Sequence, residues 1–116
     1  MIISDNKIYL AGQDPVIRCY DLETGKDHIY EGHKSWVLCL ATYETETENW
    51  LLSGSDDNTI RIWDLKTTKV LEELTGHHNG VTCLTFANNE LFSGSQDHYI
   101  ICWDIEEIAQ RIKEKQ

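Results

Sequence analysis

The chain has 116 residues, with 10 Lys plus Arg against 20 Asp plus Glu and a formal net charge of -10. That length supports one small domain with a real core, and that charge repels a phosphate backbone, so nucleic acid is not an expected partner. No stretch approaches the roughly 18 apolar residues of a membrane span, and no basic segment followed by an apolar run opens the chain. Cys19, Cys39, Cys83 and Cys102 lie far apart without a Cys-x-x-Cys pair, and no Asn-x-Ser/Thr acceptor occurs. The expectation is a soluble chain of a reducing compartment, cytoplasmic with the nucleus as an alternative, with no membrane partner and no cofactor.

In chain order, "MII" reads as the end of a strand entering a Ser4-Asp5-Asn6 turn, and "KIYLAG" (7–12) and "VIRCYD" (16–21) read as the next two strands. Val37 to Tyr43 is a strand, followed by the long hairpin loop "YETETEN" (43–49), whose Glu44, Glu46 and Glu48 mark a solvated edge. "NWLLSGS" (49–55) then runs through a turn into "TIRIWD" (59–64), where Ile60 and Ile62 alternate with Arg61 and Trp63 at the period of a strand. Lys69 to Leu74 supplies a fourth strand, so a complete unit runs from about Trp36 to Leu74. "GVTCL" (80–84), "ELFSGS" (90–95) and "YIICWD" (99–104) repeat three of those strands, and nothing after Asp104 resembles the fourth. In "IEEIAQRIKEKQ" (105–116), Ile105, Ile108 and Ile112 fall on one helical face, Asp104 and Glu107 suit the start, and Lys113 and Lys115 suit the end. This segment is a short amphipathic helix that packs on the last unit or leads into a longer tail.

The period is explicit. Trp63-Asp64 recurs as Trp103-Asp104, with a weaker copy at Tyr20-Asp21, and Gly32-His33 recurs as Gly76-His77. Val37 aligns with Val81, and Cys39 with Cys83. A Gly-His pair, two strands, a Ser-Gly-Ser-x-Asp turn, a strand ending in Trp-Asp and a fourth strand together resemble the WD-repeat β-propeller family. The resemblance covers almost all of the chain up to Asp104. It implies an all-β, partial propeller of about three four-stranded antiparallel blades, the first and last incomplete, with units at about 1–31, 32–74 and 75–104, and a helix over 105–116.

His33, Ser53 and Asp57 are the residue types of a nucleophilic triad. The same three types recur as His77, Ser93 and Asp97, with Trp63 and Trp103 in step, and no Gly-x-Ser-x-Gly elbow is present. A structural role predicts recurrence in every unit, whereas one active site does not. The family resemblance implies a buried chain in each blade, Asp to His to Ser to the Trp indole N–H, in which every polar atom has a partner. The first unit has Asp14 and Tyr20 at the equivalent positions but Leu10 where Ser stands, so its network is incomplete. Cys39 with Cys83, and Cys19 with Ile62 and Cys102, align as apolar interior strand positions, which argues against metal binding. His28, His78 and His98 do not recur and read as solvated loop residues.

No catalytic, cofactor or metal constellation is left, so the chain is not expected to be an enzyme. The function expected by resemblance is a protein-interaction scaffold within a multi-protein complex. Family members often dock partners on the loops before the first strand and between the second and third strands. By position that surface holds Lys34, Trp36, Asp56, His78, Gly80 and Gln96, with Gln13 from the first unit; Trp36 is the foremost interface anchor, with packing between blades as its alternative. A support segment of a larger enzyme and a ubiquitin-ligase substrate adaptor are the alternatives. The adaptor reading is weakened by Glu23, Lys66 and Glu106 standing where an Arg often follows Trp-Asp, and a lipid-binding Phe-Arg-Arg-Gly motif is absent. About 2.8 units fall short of the roughly four blades a closed propeller needs. The chain is therefore expected to be a fragment or component of a larger ring, completed by missing blades or a second chain.

Overall fold

The computed structural model describes residues 2–4, 6–12, 14–46 and 48–114, apart from the side chains of Ser4 and Asp14. Eleven strands and one helix follow in order: β1 (Ile2–Ser4), β2 (Lys7–Gly12), β3 (Asp14–Asp21), β4 (Asp27–Tyr30), β5 (Val37–Glu44), β6 (Asn49–Ser55), β7 (Ile60–Asp64), β8 (Val70–Leu74), β9 (Val81–Ala87), β10 (Glu90–Ser95), β11 (Ile100–Asp104) and α1 (Ile105–Glu114). They form three antiparallel meanders: β1-β2-β3-β4, β5-β6-β7-β8 and β9-β10-β11. The first blade thus has all four strands, with β1 three residues long, and the third has three among the described residues.

Register is the same in each blade. Tyr20 pairs with Ile8, Trp63 with Leu51 and Trp103 with Leu91. One residue on, Cys19 pairs with Tyr9, Ile62 with Leu52 and Cys102 with Phe92, facing the opposite side of the sheet. Two recurring turns hold this register. Between β6 and β7, Asn58 takes φ 74° and its N–H bonds the Ser55 carbonyl; between β10 and β11, His98 takes φ 70° and bonds the Ser95 carbonyl in the same way. Asn tolerates the left-handed conformation more readily than most side chains, and His is among the few others enriched there.

The second turn explains where the pattern breaks. The Asp21 carboxylate accepts the N–H groups of Glu23 and Thr24, and Asp64 accepts those of Lys66 and Thr67. In both cases a residue at positive φ, Gly25 or Thr68, then turns the chain back into a fourth strand. Asp104 makes the same bonds to the N–H groups of Glu106 and Glu107, at 3.0 and 3.3 Å, but no residue of α1 has positive φ, and the turn propagates as a helix capped by Asp104. Glu106 and Glu107 in its first turn and Arg111 and Lys113 in its last suit the helix dipole. Lys115 lies outside the described residues.

The core lies between blades rather than within one. Tyr9, Ile17, Cys19 and Tyr30 of the first blade meet Val37, Leu51 and Trp63 of the second. Leu52, Ile60, Ile62 and Leu74 of the second meet Val81 and Leu91 of the third, and Ile105, Ile108 and Ile112 of α1 join the same cluster beside Trp50. Arg111 reaches Glu72 of β8 at 3.8 Å, tying the helix to the outer strand of the second blade.

Two expectations for the cysteines are corrected. Cys19 is buried and Cys39 is partly covered, but Cys83 and Cys102 are exposed. Cys19 and Cys39 are covered by the following blade, and among the described residues no strand packs in front of Cys83 and Cys102. His28, expected near a turn, lies within β4, where it is exposed.

Candidate interaction surface

The surface singled out by the sequence rests on a polar network that is laid down twice. In the second blade the His33 Nδ1–H donates to Asp57 Oδ2 at 2.9 Å, Ser53 Oγ–H donates to His33 Nε2 at 2.5 Å, and the Trp63 indole N–H donates to Ser53 Oγ at 2.8 Å. In the third blade the corresponding distances are 3.0 Å for His77 to Asp97, 2.8 Å for Ser93 to His77 and 2.8 Å for Trp103 to Ser93. The carboxylate accepts from one imidazole nitrogen and the indole fills a lone pair of the serine, so the serine proton goes to the other nitrogen and the tautomer follows.

This geometry contains the atoms of a hydrolytic triad, yet Ser53 and Ser93 are each 0% exposed. Each hydroxyl is enclosed, accepting an indole N–H and donating to an imidazole nitrogen. In the first blade Tyr20 is exposed and Leu10 carries no hydroxyl, while Asp14 lies outside the described side chains.

Burial lowers the pKa of His33, against the pull of Asp57, because desolvation disfavours the imidazolium. Burial pushes the Asp57 carboxyl up, but hydrogen bonds from Thr59, the Lys34 N–H and His33 outweigh it and hold it at about 2. Asp97 is likewise held at about 2, where the N–H groups of His78 and Tyr99 and the His77 ring overcome desolvation.

The network controls the surface because its carboxylates grip the loops. Asp57 Oδ2 accepts the Lys34 N–H at 2.9 Å, and Asp97 Oδ2 accepts the His78 N–H at 2.9 Å. One residue pair further, Ser55 Oγ–H and the Asp56 N–H both bond the Trp36 carbonyl, each at 2.8 Å. The backbone of Trp36 is thereby held from two directions, while its side chain is 48% exposed.

Lys34, Asp56, His78 and Gln96 are exposed on this same rim, and the Gln96 N–H bonds the Gly80 carbonyl just as Asp56 bonds Trp36. Gly80 itself is buried, which removes it from the accessible surface: a Cβ there would meet Asp56 Oδ1 at 2.8 Å and Leu38 Cδ1 at 3.1 Å. It is the close-packed junction between the second and third blades, at the position Trp36 holds one repeat earlier. Gln13 lies outside the described residues. Leu38, exposed beside Trp36 and Asp56, was missed by the sequence reading. It sits at a bulge in β5 against β6, and a bulge displaces a side chain from the alternation that a strand pattern predicts.

Among the described residues, no group of three or more His, Cys, Asp or Glu side chains is placed to hold a metal ion, and no helix is long and apolar enough to cross a membrane.

Comparison with known proteins agrees with this architecture. The family model described as "WD domain, G-beta repeat" matches residues 26–64 and 68–104, and the chain belongs to that family. It is 36% identical over 95 residues to human THO complex subunit 6, covering 72% of this chain and 27% of that protein. It is 41% identical over 49 residues to the pre-mRNA-splicing factor PRP46 of Saccharomyces cerevisiae, covering 42% of this chain and 11% of that protein. Among solved structures, U3-55K superposes with a TM-score of 0.77 at 30% identity, covering 89% of this chain and 34% of that one. The chain thus spans about a quarter of the length of the THO subunit it matches.

Proposed function

We propose that this chain is a non-catalytic scaffold that binds other proteins within a multi-protein assembly, using the rim formed by Lys34, Trp36, Leu38, Asp56, His78 and Gln96. The observation that carries this reading is the contrast at one position. The residues of the polar network recur from blade to blade, whereas Trp36 is replaced by the buried Gly80 in the next repeat. A half-exposed indole on a backbone held by two hydrogen bonds is a preorganised anchor, since little side-chain or loop freedom is lost when a partner covers it.

The relatives named for a THO complex and for pre-mRNA splicing favour an assembly of RNA-processing proteins. Pre-mRNA splicing is nuclear, so these names give no support to a cytoplasmic address, and the nuclear alternative replaces it in this proposal. The blades that complete the ring are further partners in the same sense.

The test is binding of the full chain to purified THO complex, followed by fluorescence polarisation. Trp36→Ala should weaken the interaction at least tenfold with an unchanged circular dichroism spectrum. Unchanged affinity removes Trp36 from the interface, and no binding by the parent chain removes the THO-type assignment.

A further inference from the structure

Three side chains of the rim change from the second blade to the third. Trp36, Leu38 and Asp56 stand where the next repeat has Gly80, Thr82 and Gln96, and Gln13 is the first-blade copy of Asp56. They belong to a blade that is packed against a neighbour on both faces, so their exposure is not that of an uncovered blade face.

Asp56 differs in its bonding from the other turn aspartates. Asp21, Asp57, Asp64, Asp97 and Asp104 each accept two backbone N–H groups, which fixes their carboxylates inside the turns. Among the described residues no donor bonds the Asp56 carboxylate and no cation pairs with it, Lys34 of the same rim included. An amide stands at this position in the other two units, so the turn itself does not require the charge.

The place of that carboxylate is nevertheless defined. The Asp56 N–H bonds the Trp36 carbonyl at 2.8 Å, and a Cβ on Gly80 would meet Asp56 Oδ1 at 2.8 Å and Leu38 Cδ1 at 3.1 Å. The missing side chain at position 80 thus leaves the Asp56 carboxylate and a Leu38 methyl on one small patch. The half-exposed Trp36 indole leaves the backbone beside them.

A carboxylate without a donor, an exposed aliphatic group and an exposed indole are together complementary to one kind of side chain. Arginine has an aliphatic stem that covers apolar surface and a planar guanidinium that donates two parallel N–H bonds to a carboxylate and stacks on aromatic rings. Lysine has the stem and the charge but not the plane. A phosphate is repelled by Asp56 and by the chain's net charge of -10.

We propose that this patch receives an arginine from a segment of a partner protein, its guanidinium paired with Asp56 and its stem lying across Leu38 and Trp36. The proposal rests on the scaffold reading of the rim and adds the chemistry of the residue that the rim selects.

The probe is acetyl-Gly-Arg-Gly-amide, titrated into the isotopically labelled full chain while amide and indole N–H signals are followed by NMR. Saturable shifts centred on Trp36, Leu38 and Asp56 are expected. Citrulline in place of arginine keeps the plane but not the charge and should weaken binding about tenfold, and lysine should weaken it about threefold. Asp56→Asn, an amide like the Gln96 of the next blade, should lose about tenfold in affinity while keeping the parent's circular dichroism. Shifts spread over the whole acidic surface, equal binding of the citrulline peptide, or a titration unchanged in Asp56→Asn overturns the proposal.

Binding to THO complex separates this site from the reading beneath it. Arginine binding that is lost in Asp56→Asn, with no binding of THO complex, leaves the arginine site standing. THO binding weakened by Trp36→Ala but indifferent to Asp56→Asn leaves the rim standing and overturns the arginine site.

Discussion

Cys39 and Cys83 occupy the same register position in consecutive blades, opposite Gly54 and Gly94, yet only Cys39 is enclosed: its Sγ lies 3.5 Å from the Val81 carbonyl of the next blade. Nothing in the strand that holds Cys83 differs enough to account for its exposure. The difference is whether another blade stands in front of it, and chemistry can read that difference.

In dilute single chains, iodoacetamide at mildly alkaline pH should modify Cys83 first. Cys102 should follow more slowly, because the Glu90 carboxylate it bonds at 2.6 Å raises its pKa. Cys39, whose thiol burial pushes up to about 12, and Cys19, also raised by burial, should react only on unfolding. Mass spectrometry of timed digests checks the order, and early labelling of Cys39 would show that the second and third blades separate.

The two glycines facing those cysteines give a matched pair. A Cβ at position 54 would meet Cys39 Sγ at 2.6 Å and Val81 Cγ1 at 2.7 Å, so Gly54→Ala forces apart two blades and should cost about 1–3 kcal/mol. A Cβ at position 94 would meet only Cys83 Sγ, at 2.5 Å, and that thiol has open space to move into. Gly94→Ala should therefore cost less, and urea unfolding of the two variants should rank them in that order.

Removing Asp57 leaves the His33 Nδ1–H and the Lys34 N–H without their acceptor, and Asp57→Ala should lose about 1–3 kcal/mol. Asp97→Ala should lose less, because Asp57 also accepts the Thr59 hydroxyl, a bond that Tyr99 cannot supply, and because the second blade is packed on both faces. Chemical denaturation of both variants measures the difference, and equal losses would assign no weight to the additional bond.

Stability should fall as the solution is acidified, in two stages. The folded-state pKa of His33 lies below its ordinary 6.5, so below pH 6.5 the unfolded chain takes up a proton that the folded chain resists, and stability declines. Asp57 and Asp97 are held at about 2 against an ordinary 3.8, so their contribution is present above pH 3.8 and is lost as pH falls toward 2. Thermal melts of the Ser53→Ala/His33→Gln variant should lack the first decline while keeping the second, which a pH series resolves.

The two helical anchors Ile108 and Ile112 close the outer wedge between the second and third blades. Ile108→Ala should cost about 2–5 kcal/mol by leaving a cavity beside β8. Helix loss without a change in the unfolding midpoint would mean that α1 docks independently of the blades.

The local pattern and its period were legible in the sequence alone. Strand bounds such as Lys7–Gly12, Asn49–Ser55 and Glu90–Ser95 follow from alternation between turn residues, and the parallel spacing of His33 with Asp57 and of His77 with Asp97 is a property of hairpin length. These features are set by residues close in the chain, so a short window contains their cause. Only the tertiary structure decided which copies of a repeated residue are covered. It buried Gly80 beneath Asp56, left Trp36 half exposed, covered Cys39 but not Cys83, and laid the helix that the sequence starts at Asp104 in the wedge beside β8. The physical reason is that a blade buries its faces only against its neighbours. Identical sequence patterns therefore have different solvent exposure according to their place in the array.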